Sequence, residues 1–266
     1  MTLVMSNYSN KYPIYIVSKG RANISYTARM FDEDNVDYKI LVEPQEYDEY
    51  AKYNDKNKLV KLPFSNLGVG SYPARNYAKQ LSLKENAKAH WVFDDNINGA
   101  CKFVKGSKIP CSSALAIDRA EKLYDKYSNL DILAFNYRYF VATDAQKPFY
   151  INVHCYSCML INNNANIEWR LKYNEDVDLC LQSLTQGRCT ILLNAYCMNK
   201  ISTTVKLKGG NQTELYMQNA TEKKIEKADT LRKQWPQYVE LKMRFNRPHH
   251  FVDWKKHFKH ILIKNY

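Results

Sequence analysis

No stretch of this chain is long and apolar enough to span a bilayer as a helix, which excludes an ordinary helical membrane protein. Its first residues, MTLVMSNYSNKYP, lack a charged start and a long apolar centre, so no signal peptide is expected. There is no internal repeat and no low-complexity segment. The seven cysteines are an odd number with no second C-x-x-C pair. Cys101, Cys111, Cys155, Cys158, Cys180, Cys189 and Cys197 are therefore read as reduced, largely buried thiols of a cytoplasmic protein, with Cys155-x-x-Cys158 packed in a strand. Four N-x-S/T sequons, at Asn7, Asn23, Asn211 and Asn219, are read as chance matches without a secretory signal. Acidic side chains are scarce. Lys and Arg number 39 against 27 Asp and Glu, a net charge of +12. A surface this basic favours an anionic partner, with nucleic acid ahead of a membrane, although a Lys-rich proteome would also produce it.

What is present is a strand–helix alternation over 266 residues, enough for one large α/β domain with an appendage. Tyr12 to Ser18 (YPIYIVS) reads as a buried strand that runs into Lys19-Gly20-Arg21. A helix to about Asp34 follows, then strands over Tyr38 to Val42 and Leu59 to Leu62. The loop Gly68-Val69-Gly70-Ser71-Tyr72-Pro73 opens a helix, with Ser71 as N-cap and Pro73 in the first turn. Arg75 and Asn76 then lie near its start. Later strands are expected over Asp131 to Asn136, Cys155 to Ile161 and Thr190 to Leu193. A helix capped by Ser112 or Ser113 precedes the first of these, and the aromatic stretch 137–153 reads as a lid or acceptor edge. Residues 199–210, with Lys200, Lys206, Lys208 and Gly209-Gly210, read as a mobile loop. A long amphipathic helix over 213–235 leads into a basic, aromatic tail.

The chain is organised around His90-Trp91-Val92-Phe93-Asp94-Asp95-Asn96. An apolar strand ends abruptly in two acids and an amide. In alternating α/β chains, ligands gather beyond the carboxyl ends of the strands. Paired acids there suit a hard cation that carries a diphosphate, though a solvated turn would look the same. A second acidic cluster, Asn174-Glu175-Asp176-Val177-Asp178, opens a later helix. Its charges have a sufficient structural reason in the helix dipole.

The order of these features resembles the GT-A class of nucleotide-sugar glycosyltransferases. More narrowly, IVSKGR, VEPQEY, GVGSYPARN, WVFDDNI, NEDVDLCL and KGGN resemble the phage-encoded TET-associated glycosyltransferases over roughly residues 12–210. The resemblance implies an α/β, GT-A-like (Rossmann-like) mixed sheet flanked by helices. It makes 1–210 the catalytic domain and 211–266 a basic, helical C-terminal extension packed on it. It implies an inverting, metal-dependent enzyme that moves a hexose or pentose from a UDP-sugar to hydroxymethylcytosine, or another hydroxymethylpyrimidine, in phage DNA. That would place it in the cytoplasm of the infected host. Carried over, Ser18, Gly20, Arg21 and Glu43 flank the nucleoside, and Arg75, Asn76, Asp94 and Lys206 also hold the donor. Asp95, Asp94 and Asn96 bind Mn²⁺ or Mg²⁺, with Asn96 a weaker ligand than the Asp usual at that place. Asp176 is the base, with Glu175 as its alternate. DNA is met by Lys200, Lys208, Arg247, Lys255 and Lys256. No His lies between His154 and His249, so the downstream metal-binding His that the resemblance implies is either absent or supplied by His249 or His250 folding back, unless Lys206 or Lys208 neutralises the diphosphate instead. Two other readings stay open: a glycan or protein acceptor, and a non-catalytic DNA-binding module that keeps this fold.

Overall fold

Strands of alternating face order build the protein's central sheet. In β1 (Ile14–Val17), Ile14 and Ile16 point to one face and Tyr15 to the other; in β4 (Ala89–Asp94), Trp91 and Phe93 oppose Val92. The computed structural model describes residues 9–142, 147–201, 209–210, 220–244 and 247–265. In chain order the further strands are β2 (Lys39–Val42), β3 (Leu59–Lys61), β5 (Ile97–Val104), β6 (Ser107–Cys111), β7 (Leu130–Tyr137), β8 (Phe149–Ile151), β9 (Met159–Asn162) and β10 (Cys189–Lys200). Their order in the sheet is β3-β2-β1-β4-β9-β7-β10-β5-β6, with β8 also on β10. The first four of that series are mutually parallel, and β9 runs antiparallel between β4 and β7.

Helices cover both faces. Helices α1 (Tyr26–Glu33) and α4 (Ser113–Tyr124) bury Phe31, Ile117 and Ala120 against Ile16, Phe93 and Phe135. Helices α3 (Tyr72–Lys84) and α5 (Glu175–Thr185) bury Ala74, Ala78, Leu179 and Cys180 against Tyr15, Val92 and Ile132. A short α2 (Tyr47–Tyr50) follows β2. Three layers result, as the GT-A-like reading requires.

The C-terminal part departs from the helical expectation. Helix α6 (Ala220–Gln234) is followed by a hairpin of β11 (Val239–Arg244) and β12 (Arg247–Val252), then by the single-turn α7 (Trp254–His257). Val239-Glu240-Leu241-Lys242-Met243-Arg244 alternates apolar and polar residues, a strand signal that the helical reading of this segment passes over. The extension covers the outer face of α5, where Val177, Leu181 and Leu184 pack on Leu231, Val239, Val252 and Phe258. The chain then crosses the far end of the domain, with Ser128 N–H donating to Ile263 O and Asn152 Nδ2 to His260 O.

Asp178 fastens the two parts. Fully buried, it accepts both Nε and Nη2 of Arg170 (3.0 Å each), Gln182 Nε2 (2.7 Å) and Trp235 Nε1 (2.7 Å). Removing a buried partner strands the others. Asp178→Ala is expected to cost ~3 kcal/mol in denaturant unfolding, at the low end because Arg170 keeps partial contact with water.

His90 gives the fold an acid limit. Its Nδ1 bonds Asn163 Oδ1 at 2.6 Å, and burial lowers its pKa from 6.5 to about 4. The unfolded chain binds the proton near 6.5, the folded chain only near 4. The stability associated with neutral His90 is thus complete above 6.5 and lost as pH falls towards 4. Urea midpoints should drop over that window by the equivalent of ~3 kcal/mol, and His90→Phe should flatten that limb.

Two cysteines depart from the reduced reading. Cys101 on β5 and Cys197 on β10 face each other in antiparallel register and form a disulfide. The other five are free thiols, four of them buried. Cys155 and Cys158 precede β9 rather than lying in it.

Candidate active site

Parallel register gathers the site. Val17 pairs with Leu41 on one side and Asp94 on the other, so Ser18, Glu43 and Asp95 emerge together at the carboxyl edge. This edge, between β1 and β4, is where the strand order reverses. A cleft of about 250 Å³ opens there, lined by Ser18, Arg21, Glu43, Arg75, Asp94, Asp95, Asn96, Glu175 and Lys200.

The acidic pair is not a solvated turn. Asp95 is 3% exposed, and both its oxygens are taken: Arg21 Nη1 donates to Oδ1 (2.5 Å) and Ser18 Oγ to Oδ2 (2.6 Å). Asp94 is equally engaged. Arg75 Nη2 donates to Oδ1 (2.7 Å) and Lys200 Nζ to Oδ2 (2.8 Å). Burial would raise the Asp94 carboxyl, but Lys200 and Arg75 outweigh it and hold the group far below the usual carboxylate range. At Asp95 burial prevails over Arg21 and Ser18, and the pKa lies above its ordinary value. Asn96 Nδ2 donates to Ile201 O at 2.7 Å, while its Oδ1 is buried without a partner among the described residues.

This donor set does not fit a Mn²⁺ or Mg²⁺ ion. Three fixed cations already neutralise the two carboxylates, and one amide oxygen remains. Among the described residues there is also no cluster of three metal-ligating side chains. The arrangement suits an anion instead. Arg75 Nη1 is a buried donor with no partner among the described residues, and Lys200 carries its charge into the cleft beside Tyr137 Oη (3.0 Å) and Ser157 Oγ (3.1 Å). Lys200 is thus a cleft residue, not the surface DNA contact its sequence neighbourhood suggests. It became one because β10 continues to Lys200 rather than stopping at Leu193.

Of the expected donor contacts, Asn76 acts one layer back. Asn76 uses both amide atoms on the backbone of Trp169, accepting its N–H (3.0 Å) and donating to its O (2.6 Å), and Arg75 lies 4.7 Å above the Trp169 ring. Asn76 therefore positions Arg75 rather than touching a ligand. Glu43 is clasped by Lys19, Gln45 and Asn66 N–H, which together hold its pKa down against burial. Gly20 adopts positive φ and packs on Gly209, where an added Cβ would clash with Gly20 O. Gly210 N–H donates to Lys19 O (2.8 Å) and Arg21 Nη2 to Gly209 O (3.1 Å). These two glycines are docked on the Gly-Arg turn rather than lying free in a mobile loop. Lys206 and Lys208 lie outside the described residues, as do the sequons at Asn7, Asn211 and Asn219.

The caps also differ from the expectation. Ser71 Oγ does not cap α3; it donates to Glu175 Oε1 (3.2 Å) and accepts Arg75 Nε (3.1 Å). Asn174 stands at positive φ, and its Nδ2 donates to Lys227 O. Beyond it, Glu175 lines the cleft. Asp176 lies next along, paired through Oδ2 with His154 Nε2 at 3.0 Å. The two adjacent acids are driven apart. Burial and the Asp176 charge raise Glu175, whereas His154, through charge and hydrogen bond, outweighs burial and holds Asp176 far below the usual range. Asp176 is the ionised member of the pair. His154, Tyr137 and Ser157 are site residues that the sequence did not single out; nothing local marks them, because their partners lie far off in the chain. Lys255 and Lys256 are exposed on α7, whose Trp254 ring lies 6.3 Å from His154. Arg247 sits at the start of β12.

A family profile described as TET-associated glycosyltransferase matches residues 12–210, most of the chain and all of the sheet just described. No curated protein matches it significantly. No helix among the described residues is long and apolar enough to cross a membrane. The family implies sugar transfer from a nucleotide sugar to modified DNA. With the strand-edge cleft, its guanidinium and ammonium groups and the acids at the start of α5, the chain belongs to the TET-associated glycosyltransferase family.

Proposed function

We propose that the protein transfers a hexose or pentose, such as arabinose, from a UDP-sugar to the hydroxymethyl group of 5-hydroxymethylcytosine, or another hydroxymethylpyrimidine, in phage DNA. Such a sugar would shield that DNA from host nucleases. The reading is carried by one observation: Arg75 and Lys200, cations for a diphosphate, line one cleft with Glu175, and the ionised Asp176 follows at the same helix start, close enough for its charge to act on Arg75. Uridine would lie towards Glu43 and the Gly20-Arg21 turn, with the diphosphate against Arg75 and Lys200. A hydroxyl is a poor nucleophile near neutral pH, so Asp176 accepts its proton as the bond to the anomeric carbon forms. His154 fixes the direction of that carboxylate. Negative charge gathers on the departing UDP, and preset cations stabilise it without reorganising. One base and one displacement invert the anomeric centre. The sequence pattern suggested a metal at Asp94, Asp95 and Asn96; in this proposal Lys200 and Arg75 supply the positive charge instead. Lys255 and Lys256 are available to DNA phosphates.

The test is incubation with hydroxymethylcytosine DNA and a panel of nucleotide sugars, followed by nucleoside mass spectrometry. A gain of one sugar on the modified base supports the reading. Transfer to glycan or protein acceptors but to no DNA overturns it.

A further inference from the structure

Beside the proposed base lies a ladder of rings that the chemistry above does not use. Tyr137 stacks on Tyr156 with centroids 5.0 Å apart, and Phe140 lies 5.3 Å from the same Tyr156 ring. Tyr139 meets Phe140 edge-on at 4.4 Å and Tyr137 at 5.5 Å. Tyr156 meets His154 at 4.6 Å. Both ends of the ladder are thus fixed to the reactive groups: Tyr137 Oη accepts from Lys200, and His154 holds Asp176. The outer rings face solvent, Tyr139 being 59% and Phe140 52% exposed. Two adjoining aromatic rings are thus left open to solvent against Tyr137, which itself touches the cleft residue Lys200, and an exposed apolar patch so placed suits a binding surface.

We infer that Tyr139, Phe140 and Tyr156 form the acceptor subsite, a platform on which a nucleobase unstacked from the DNA lies flat with its 5-substituent turned towards Asp176. The inference rests on the proposed DNA acceptor and specifies how that acceptor is held. A duplex keeps its bases stacked, so an enzyme that modifies one has to draw it out, and aromatic faces replace the lost stacking. Charge points to the same occupant. Lys108 Nζ donates to Arg138 O, which brings this face of the β5–β6 hairpin beside the platform. Arg138 itself is exposed next to Tyr139. A base on the rings would have its phosphates near these cations.

The double variant Tyr139→Ala/Phe140→Ala separates the possibilities. Steady-state transfer to hydroxymethylcytosine duplex should show KM for DNA raised about 10- to 100-fold. UDP affinity and thermal midpoint should match wild type. Tyr139→Trp/Phe140→Trp, which keeps the stacking faces, should retain most of the activity. An unchanged KM for DNA in the Ala variant overturns the inference, as does an equal loss of UDP affinity. A second arm uses a 2-aminopurine oligonucleotide, whose fluorescence responds to stacking, and needs no turnover. If wild type transfers sugar to no DNA, the functional reading fails, and this arm still decides the platform. A stacking signal lost in the Ala variant supports it; the same signal in both proteins overturns it.

Discussion

Asp176→Asn is expected to lower kcat by about 10²- to 10⁴-fold while leaving UDP affinity unchanged, because the amide keeps the shape but cannot take a proton. Two neighbouring acids compete for this role, and their surroundings divide it. Asp176 is ionised against His154, whereas Glu175 is pushed up by burial and by that same charge. Groups whose environments separate their pKa values in this way reveal which one acts as base. Glu175 also receives Ser71 Oγ, which in turn accepts Arg75 Nε. Its removal should therefore disturb donor binding before it touches the chemical step, so Glu175→Gln should raise the KM for UDP-sugar more than it lowers kcat. Single-turnover rates with both variants check the division. Equal kcat losses for the two, with donor affinity intact in both, would assign the base to the pair rather than to Asp176.

Lys200→Met is the second large effect. The ammonium is tied to Asp94 and its pKa is raised well above the usual lysine value, Asp94 outweighing burial. It is charged at every working pH and already in place when UDP departs. Losing one such preset charge typically costs about 10²-fold in kcat. Asp94 would then retain Arg75 alone, so UDP affinity should fall as well. The same reasoning predicts that excess EDTA leaves the wild-type rate essentially unchanged. A rate that collapses in EDTA and returns with Mn²⁺ would show that an ion displaces Lys200 from Asp94, and would restore the ligand set suggested by the sequence.

The sheet was largely legible because its strands are short apolar runs ending in turns, and the parallel order then brought Ser18, Glu43, Arg75 and Asp94 to one edge. Their partners were not legible. Asp95 meets Arg21 across 74 positions and Asp94 meets Lys200 across 106, so an acidic pair that reads as a cation site is closed by cations from elsewhere in the chain. Strand β10 looked shorter than it is because buried Asn194 interrupts the apolar run; Asn136 Nδ2 donates to its Oδ1 and makes that burial tolerable. The β5–β6 hairpin had a signal that was passed over. Lys105-Gly106 takes positive φ at both residues, the requirement of a tight two-residue hairpin turn. His154 had no local signal, since its importance comes wholly from Asp176, Tyr156 and Trp254 around it.

The most direct measurement is the mass of nucleosides from hydroxymethylcytosine DNA after reaction in EDTA, with wild type and Asp176→Asn side by side. One added sugar on the modified base is expected with wild type and essentially none with the variant. Sugar addition by Asp176→Asn at the wild-type rate, or none by wild type with any UDP-sugar, would contradict it.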